Sequence, residues 1–90
     1  MLAEDTVPRL AAGVRFRFDE VRAVWVLLAP ERLFQPNQIA LEILTLVDGQ
    51  RTLGQIADQL ASRYEAPRTV IALDVASMLQ DLSDRGALRL

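Results

Sequence analysis

A chain of 90 residues has the length of one domain, in which folding buries roughly two thirds of the extended-chain surface. Hydrophobic residues make up 51% and charged ones 24%, which argues against a disordered or fibrous chain, and a net charge of −2 gives no general attraction to nucleic acid. Cysteine, histidine and lysine are all absent, so disulfides, Cys/His zinc sites, iron–sulfur clusters, histidine bases and Schiff-base lysines are excluded within the chain.

No apolar run approaches the ~18 residues of a membrane span. The early acids of Met1-Leu2-Ala3-Glu4-Asp5 do not suit a secretory signal, so the sequence reads as cytoplasmic. Residues 1–8 are short, polar and mixed, and are expected to form a flexible N-terminal tail ahead of a single domain at 9–90.

Val14-Arg15-Phe16-Arg17-Phe18 alternates with period two, the pattern of a half-buried strand. Asp19 to Arg22 is read as a turn. Val24 to Leu28 is a second, more continuously apolar strand, expected at the centre of the sheet. Ala29-Pro30-Glu31 supplies the next turn, and Arg32 to Gln35 a short third strand ended by Pro36, which has no N–H for a ladder.

From Asn37, placed as an N-cap, the period becomes helical, with Ala40, Ile43, Leu44 and Val47 on one stripe and Asp48-Gly49 as the stop. Thr52-Leu53-Gly54-Gln55 is a capping box opening a second helix, with Ile56, Ala57, Leu60 and Tyr64 at helical spacing. Pro67 suits the first turn of a third helix, whose core stripe is Ile71, Val75, Met78, Leu79 and Leu82 and which ends at Gly86. Three strands followed by three helices predict an α+β domain, winged helix-turn-helix-like, with a three-stranded antiparallel sheet.

Three kinds of site compete. A DNA-binding regulator needs basic residues on its recognition helix, yet the third helix carries Asp74, Asp81 and Asp84 against Arg68 and Arg85. A carboxylate enzyme needs a pair of acids whose environments separate their pKa values, and nothing in the sequence desolvates Asp19-Glu20 or Asp81 and Asp84. The third strand is a sheet edge, trimmed by charge and proline at its ends, and such an edge either is merely kept short or accepts an added strand. A third helix that is apolar beyond its core stripe, at Val70 and Leu73, favours a groove beside that edge. The same edge also suits a dimerisation module.

The residues Pro8-Arg9-Leu10, the block Trp25-Val26-Leu27-Leu28-Ala29-Pro30-Glu31-Arg32, Asn37, Ile43-Leu44, Asp48-Gly49, Ile56, Leu60, Asp74-Val75, Leu79 and Leu82 together resemble the PqqD family of pyrroloquinoline quinone biosynthesis. The resemblance runs from about Pro8 to near the C-terminus. It implies a non-catalytic peptide chaperone that needs no cofactor, binds a ribosomally made precursor peptide and presents it to a radical S-adenosylmethionine enzyme, without nucleic acid or membrane as partner. Carried onto this sequence, it implies a peptide lying along Arg32, Leu33, Phe34 and Gln35 and facing Val70, Leu73, Asp74 and Ser77. A homodimer through the open edge is a further expectation.

Overall fold

The computed structural model describes residues 2–30 and 32–90. Its main sheet is antiparallel, in the order β2 (Arg15–Asp19), β3 (Val24–Ala29), β4 (Arg32–Phe34). Phe18 pairs with Trp25, Phe16 with Leu27, and Leu27 with Phe34, so these side chains share the sheet face toward the helices. Leu27 is fully buried there, whereas Val26 is buried on the other face, beside Arg17 and Leu28, and is not part of the main core. Covering on both faces is what the unbroken apolar run of β3 requires. The turn expected at Ala29-Pro30-Glu31 includes Glu31, which lies outside the described residues.

Three helices follow: α1 (Gln38–Leu46), α2 (Leu53–Tyr64) and α3 (Arg68–Asp84). Asn37 Oδ1 accepts a 2.8 Å hydrogen bond from the Ala40 amide at the start of α1. This helix stops at Leu46, earlier than the apolar stripe suggested. Val47 is already extended, and the Asp48 carboxylate accepts from the Gln50 and Arg51 amides at 2.9 and 2.8 Å, folding the chain into a side-chain-closed turn. Those two bonds hold the Asp48 carboxyl below its usual range.

At the start of α2 every orphan donor has a partner. The Leu53 amide donates to Thr6 O at 2.7 Å and Gly54 to Glu4 O at 2.9 Å, both outside the helix. Gln55 donates to Thr52 Oγ1 at 3.1 Å, and its side chain accepts from the Thr52 amide at 2.9 Å, closing the expected capping box. Gly54 is needed for the approach: a Cβ there would lie 3.0 Å from Glu4 Oε1 and 3.3 Å from Glu4 O.

Residues 2–8, set apart from the domain in the sequence reading, thus lie against the helices. Pro8 is fully buried and Leu2 packs on the core. Glu4 meets Arg68 in a bidentate pair with both distances 2.8 Å, and the Arg68 Nε donates to Asp58 at 2.7 Å. These contacts lower the Glu4 pKa, chiefly through the Arg68 hydrogen bonds, and raise that of Arg68.

The end of α3 is a two-bond glycine cap. Gly86, at φ 82°, donates to Ser83 O at 2.9 Å, and Ala87 donates to Leu82 O at 2.9 Å. The reversal sends the chain into β5 (Leu88–Arg89), which pairs antiparallel with β1 (Arg9–Leu10) in a separate two-stranded sheet. The sequence reading contained neither of these strands, because two residues are too few to show a period. The core is built by all three helices under the sheet, around Leu27, Ile43, Leu53, Ile56, Val75 and Leu79, all essentially unexposed. The fold is thus mixed α+β, with three antiparallel strands and three helices as its main elements. Among the described residues no helix is long and apolar enough to cross a membrane.

Candidate peptide-docking groove

In the order β2-β3-β4, the strand β4 is paired on one side only. Its outer edge faces a depression of about 360 Å³ walled by the C-terminal half of α3. Leu33, Phe34 and Gln35 line it from the sheet, and Met78, Asp81, Leu82 and Arg85 from the helix. Leu33 stands 44% exposed, a partly covered apolar side chain on an open edge. Phe34 is half-buried against the core, while Arg32 at the head of the strand is exposed.

A second depression, of about 410 Å³, continues the first. It is lined by Ile39, Asp74, Ser77, Met78 and Asp81, and so shares Met78 and Asp81 with its neighbour. Together the two bring six of the eight sequence-expected contacts to one surface or its strand: Arg32, Leu33, Phe34 and Gln35 on the sheet side, Asp74 and Ser77 on the helix side. Val70 and Leu73 are not among the lining residues of either depression and stand 51% and 54% exposed. At about 100° per residue, Val70 falls on the stripe of Asp74, Ser77 and Asp81 but beyond its N-terminal end, and Leu73 lies roughly 60° further round.

Sequence reasoning missed the floor of the groove. Met78 and Leu82 were assigned wholly to the core stripe, and Ile39 and Arg85 to no site. Met78 sits between the buried stripe of Val75 and Leu82 and the polar stripe of Asp74 and Asp81, a position from which a flexible thioether serves both. The i, i+7 pair Met78 and Arg85 on that border was the available signal.

The charges in the groove are arranged for contact. Arg85 Nε lies 3.3 Å from Asp81 Oδ2 across one helical turn. Asp74 has no ion pair or side-chain hydrogen bond among the described residues. The three groups with perturbed pKa values, Glu4, Asp48 and Arg68, do not line the groove, and each is explained by its ion pairs or backbone hydrogen bonds. Among the described residues no cluster of three or more potential metal ligands occurs. A trough of mixed lining beside an unpaired strand, with apolar side chains on its floor and acids and one cation along its wall, is equipped to hold an extended chain.

Known proteins resemble this chain in sequence and in fold. A family model described as coenzyme PQQ synthesis protein D (PqqD) matches residues 24–88, from the start of β3 to β5. The PqqA binding protein of Bradyrhizobium diazoefficiens is 48% identical over 87 residues, covering 97% of this chain and 84% of the relative. The solution structure of the PqqD truncation of Methylobacterium extorquens PqqCD, described as a functional and stand-alone recognition element for ribosomally synthesized and post-translationally modified peptides, superimposes with a TM-score of 0.82. It is 44% identical, over 100% of this chain and 96% of that one. Lasso peptide synthetase B1, solved with its leader peptide, reaches a TM-score of 0.79 at 23% identity over 94% of this chain and all of its own, a likeness of fold alone.

Proposed function

The chain belongs to the coenzyme PQQ synthesis protein D (PqqD) family, and on that footing we propose that it recognises the ribosomally made precursor peptide of pyrroloquinoline quinone, taking it as an added strand beside β4. The observation that carries the proposal is the conjunction of an unpaired β4 edge with a groove of mixed apolar and polar lining walled by α3. In this reading Arg32 to Gln35 supply the ladder, Phe34, Met78 and Leu82 supply the pocket on the helix face, and Leu33, paired with Leu28, supplies an apolar contact on the opposite face of the added strand. Asp74, Ser77 and Asp81 set which polar neighbours fit. Val70 and Leu73 extend the same helix as an outer rim. The sheet and helices are then a winged helix-turn-helix variant in which the space beside the wing holds peptide.

Physics limits how such binding works. Ordering one peptide residue costs about 1–2 kcal/mol of backbone entropy, while a ladder hydrogen bond returns a net of about 0.5–1.5 kcal/mol. Pairing with a strand as short as β4 therefore roughly breaks even, and affinity comes from apolar area removed from water at about 25 cal/mol per Å². Ladder bonds are blind to side chains, so selectivity belongs to the groove. The role is recognition and delivery: the domain holds the peptide in the cytoplasm and presents it to a radical S-adenosylmethionine enzyme, which performs the chemistry. An open edge also admits a second copy of the chain, and light scattering with and without peptide tests whether self-association competes with peptide.

Titration with the precursor peptide, followed by amide NMR, tests the core of the reading. The amides of Arg32 to Gln35 and residues of α3 from Asp74 to Arg85 are expected to shift together. Shifts confined to the β2 edge, or to the two-stranded sheet of β1 and β5, would refute it.

A further inference from the structure

A third depression, of about 340 Å³, opens between α1, α2 and α3. Its walls are almost wholly apolar, with Ile39 and Ile43 from α1, Leu60 and Tyr64 from α2 and Ile71 from α3, and Asp74 stands at its margin. Ile39 and Tyr64 are 58% and 51% exposed, so large apolar surface lies open at its mouth. Glu42, also at the mouth, accepts a hydrogen bond from the Tyr64 hydroxyl and lies 3.7 Å from Arg63, which fixes that side of the opening.

This pocket is continuous with the groove beside β4. It shares Ile39 and Asp74 with the middle depression, which in turn shares Met78 and Asp81 with the one at the strand. The path follows α3 from Arg85 back to Ile71, about 21 Å at 1.5 Å per residue. The strand β4 has three residues and so covers only about 10 Å of that path. Past Gln35 the ladder cannot continue, because Pro36 has no N–H and Asn37 already caps α1. A peptide that leaves β4 in this direction is held by side-chain burial alone.

We propose that the pocket between α1, α2 and α3 is a second anchor site for the same peptide. It takes a large apolar side chain three or four residues outside the strand-paired segment, with a cationic neighbour favoured opposite Asp74. The proposal rests on strand addition at β4. Its occupant follows from continuity: one extended chain of six or seven residues, at about 3.3 Å each, spans the paired segment and the pocket together.

The test uses the full-length precursor peptide and a set of truncations from both ends, with binding measured by calorimetry on the intact chain. Ile71→Ala removes apolar lining from the α3 wall of the pocket, at a residue outside both depressions of the groove beside β4. Tyr64→Ala opens the opposite wall. Each variant is expected to bind the full peptide about tenfold more weakly, yet bind the shortest truncation that retains β4 pairing as the wild type does. In wild-type protein the Leu60 and Ile71 methyl resonances are expected to shift with the full peptide and stay in place with that truncation. Equal weakening for both peptides, or none for either, overturns the second anchor and leaves strand addition standing. Failure of every peptide to perturb β4 overturns both.

Discussion

Replacing Leu33 by alanine isolates what side-chain burial at the β4 edge contributes to peptide affinity. Complete burial of a leucine is worth about 1.5–3 kcal/mol. The side chain is already partly covered in the free domain, and the 44% left exposed is what a peptide can still cover. That fraction amounts to about 0.7–1.3 kcal/mol, or roughly a fivefold rise in Kd at about 1.4 kcal/mol per factor of ten. Calorimetric titration measures it directly, with circular dichroism to show that the variant folds. Leu73→Ala is the matched control, since it removes the same group from a site 54% exposed at the outer rim, outside the lining of both depressions. It is expected to change Kd less than twofold. Unchanged affinity in Leu33→Ala, or an equal loss in Leu73→Ala, would refute the assignment of the peptide to the trough beside β4.

Ile56→Ala, at a site of zero exposure in the α2 core, is expected to cost about 3–4 kcal/mol of stability in a denaturant titration with little change in the slope. Thr52→Ala removes the acceptor for the Gln55 amide and is expected to cost about 1 kcal/mol by the same measurement. The Glu4 carboxyl is held below its ordinary value of 4.5 by Arg68, so its contribution is complete above that value and is lost as the pH falls through the lower folded-state one. The amide shifts of Leu53 and Gly54, which report the docked N-terminal segment, are expected to move in that acid window, and Glu4→Gln is expected to abolish the step.

The parts of the fold that were legible in the sequence are those with a repeating physical cause. Period two in Arg15 to Phe18, the continuous apolar run of β3, the Thr52–Gln55 box and Gly86 each name a local geometry, and the structure contains each of them. What could not be read is built from contacts between segments far apart in the chain. The β1–β5 pair joins residues about eighty positions apart, and no local pattern announces a two-residue strand. The docking of residues 2–8 depends on backbone carbonyls of Thr6 and Glu4 meeting the free amides of α2, and backbone groups are the same for every residue type. A glycine in the first turn of α2 was the one sequence trace of that approach.

The same division explains the groove. The sheet side was legible because an edge strand is defined by its own residues: Arg32 and Pro36 bracket Leu33 to Gln35, and the family resemblance supplied an occupant. On the helix side, Val70 and Leu73 lie outside the lining of both depressions, because a helical wheel gives direction around an axis but not which length of the helix a neighbour reaches. That length is set by β4, which ends at Phe34 and meets α3 near Met78, Asp81 and Arg85. Met78 and Leu82 face both the core and the trough, so in them the packing that stabilises the fold and the surface that would select a peptide are the same side chains. Substitutions there are expected to couple stability to affinity, whereas Leu33 and Ile39, exposed at the two ends of the path, separate them.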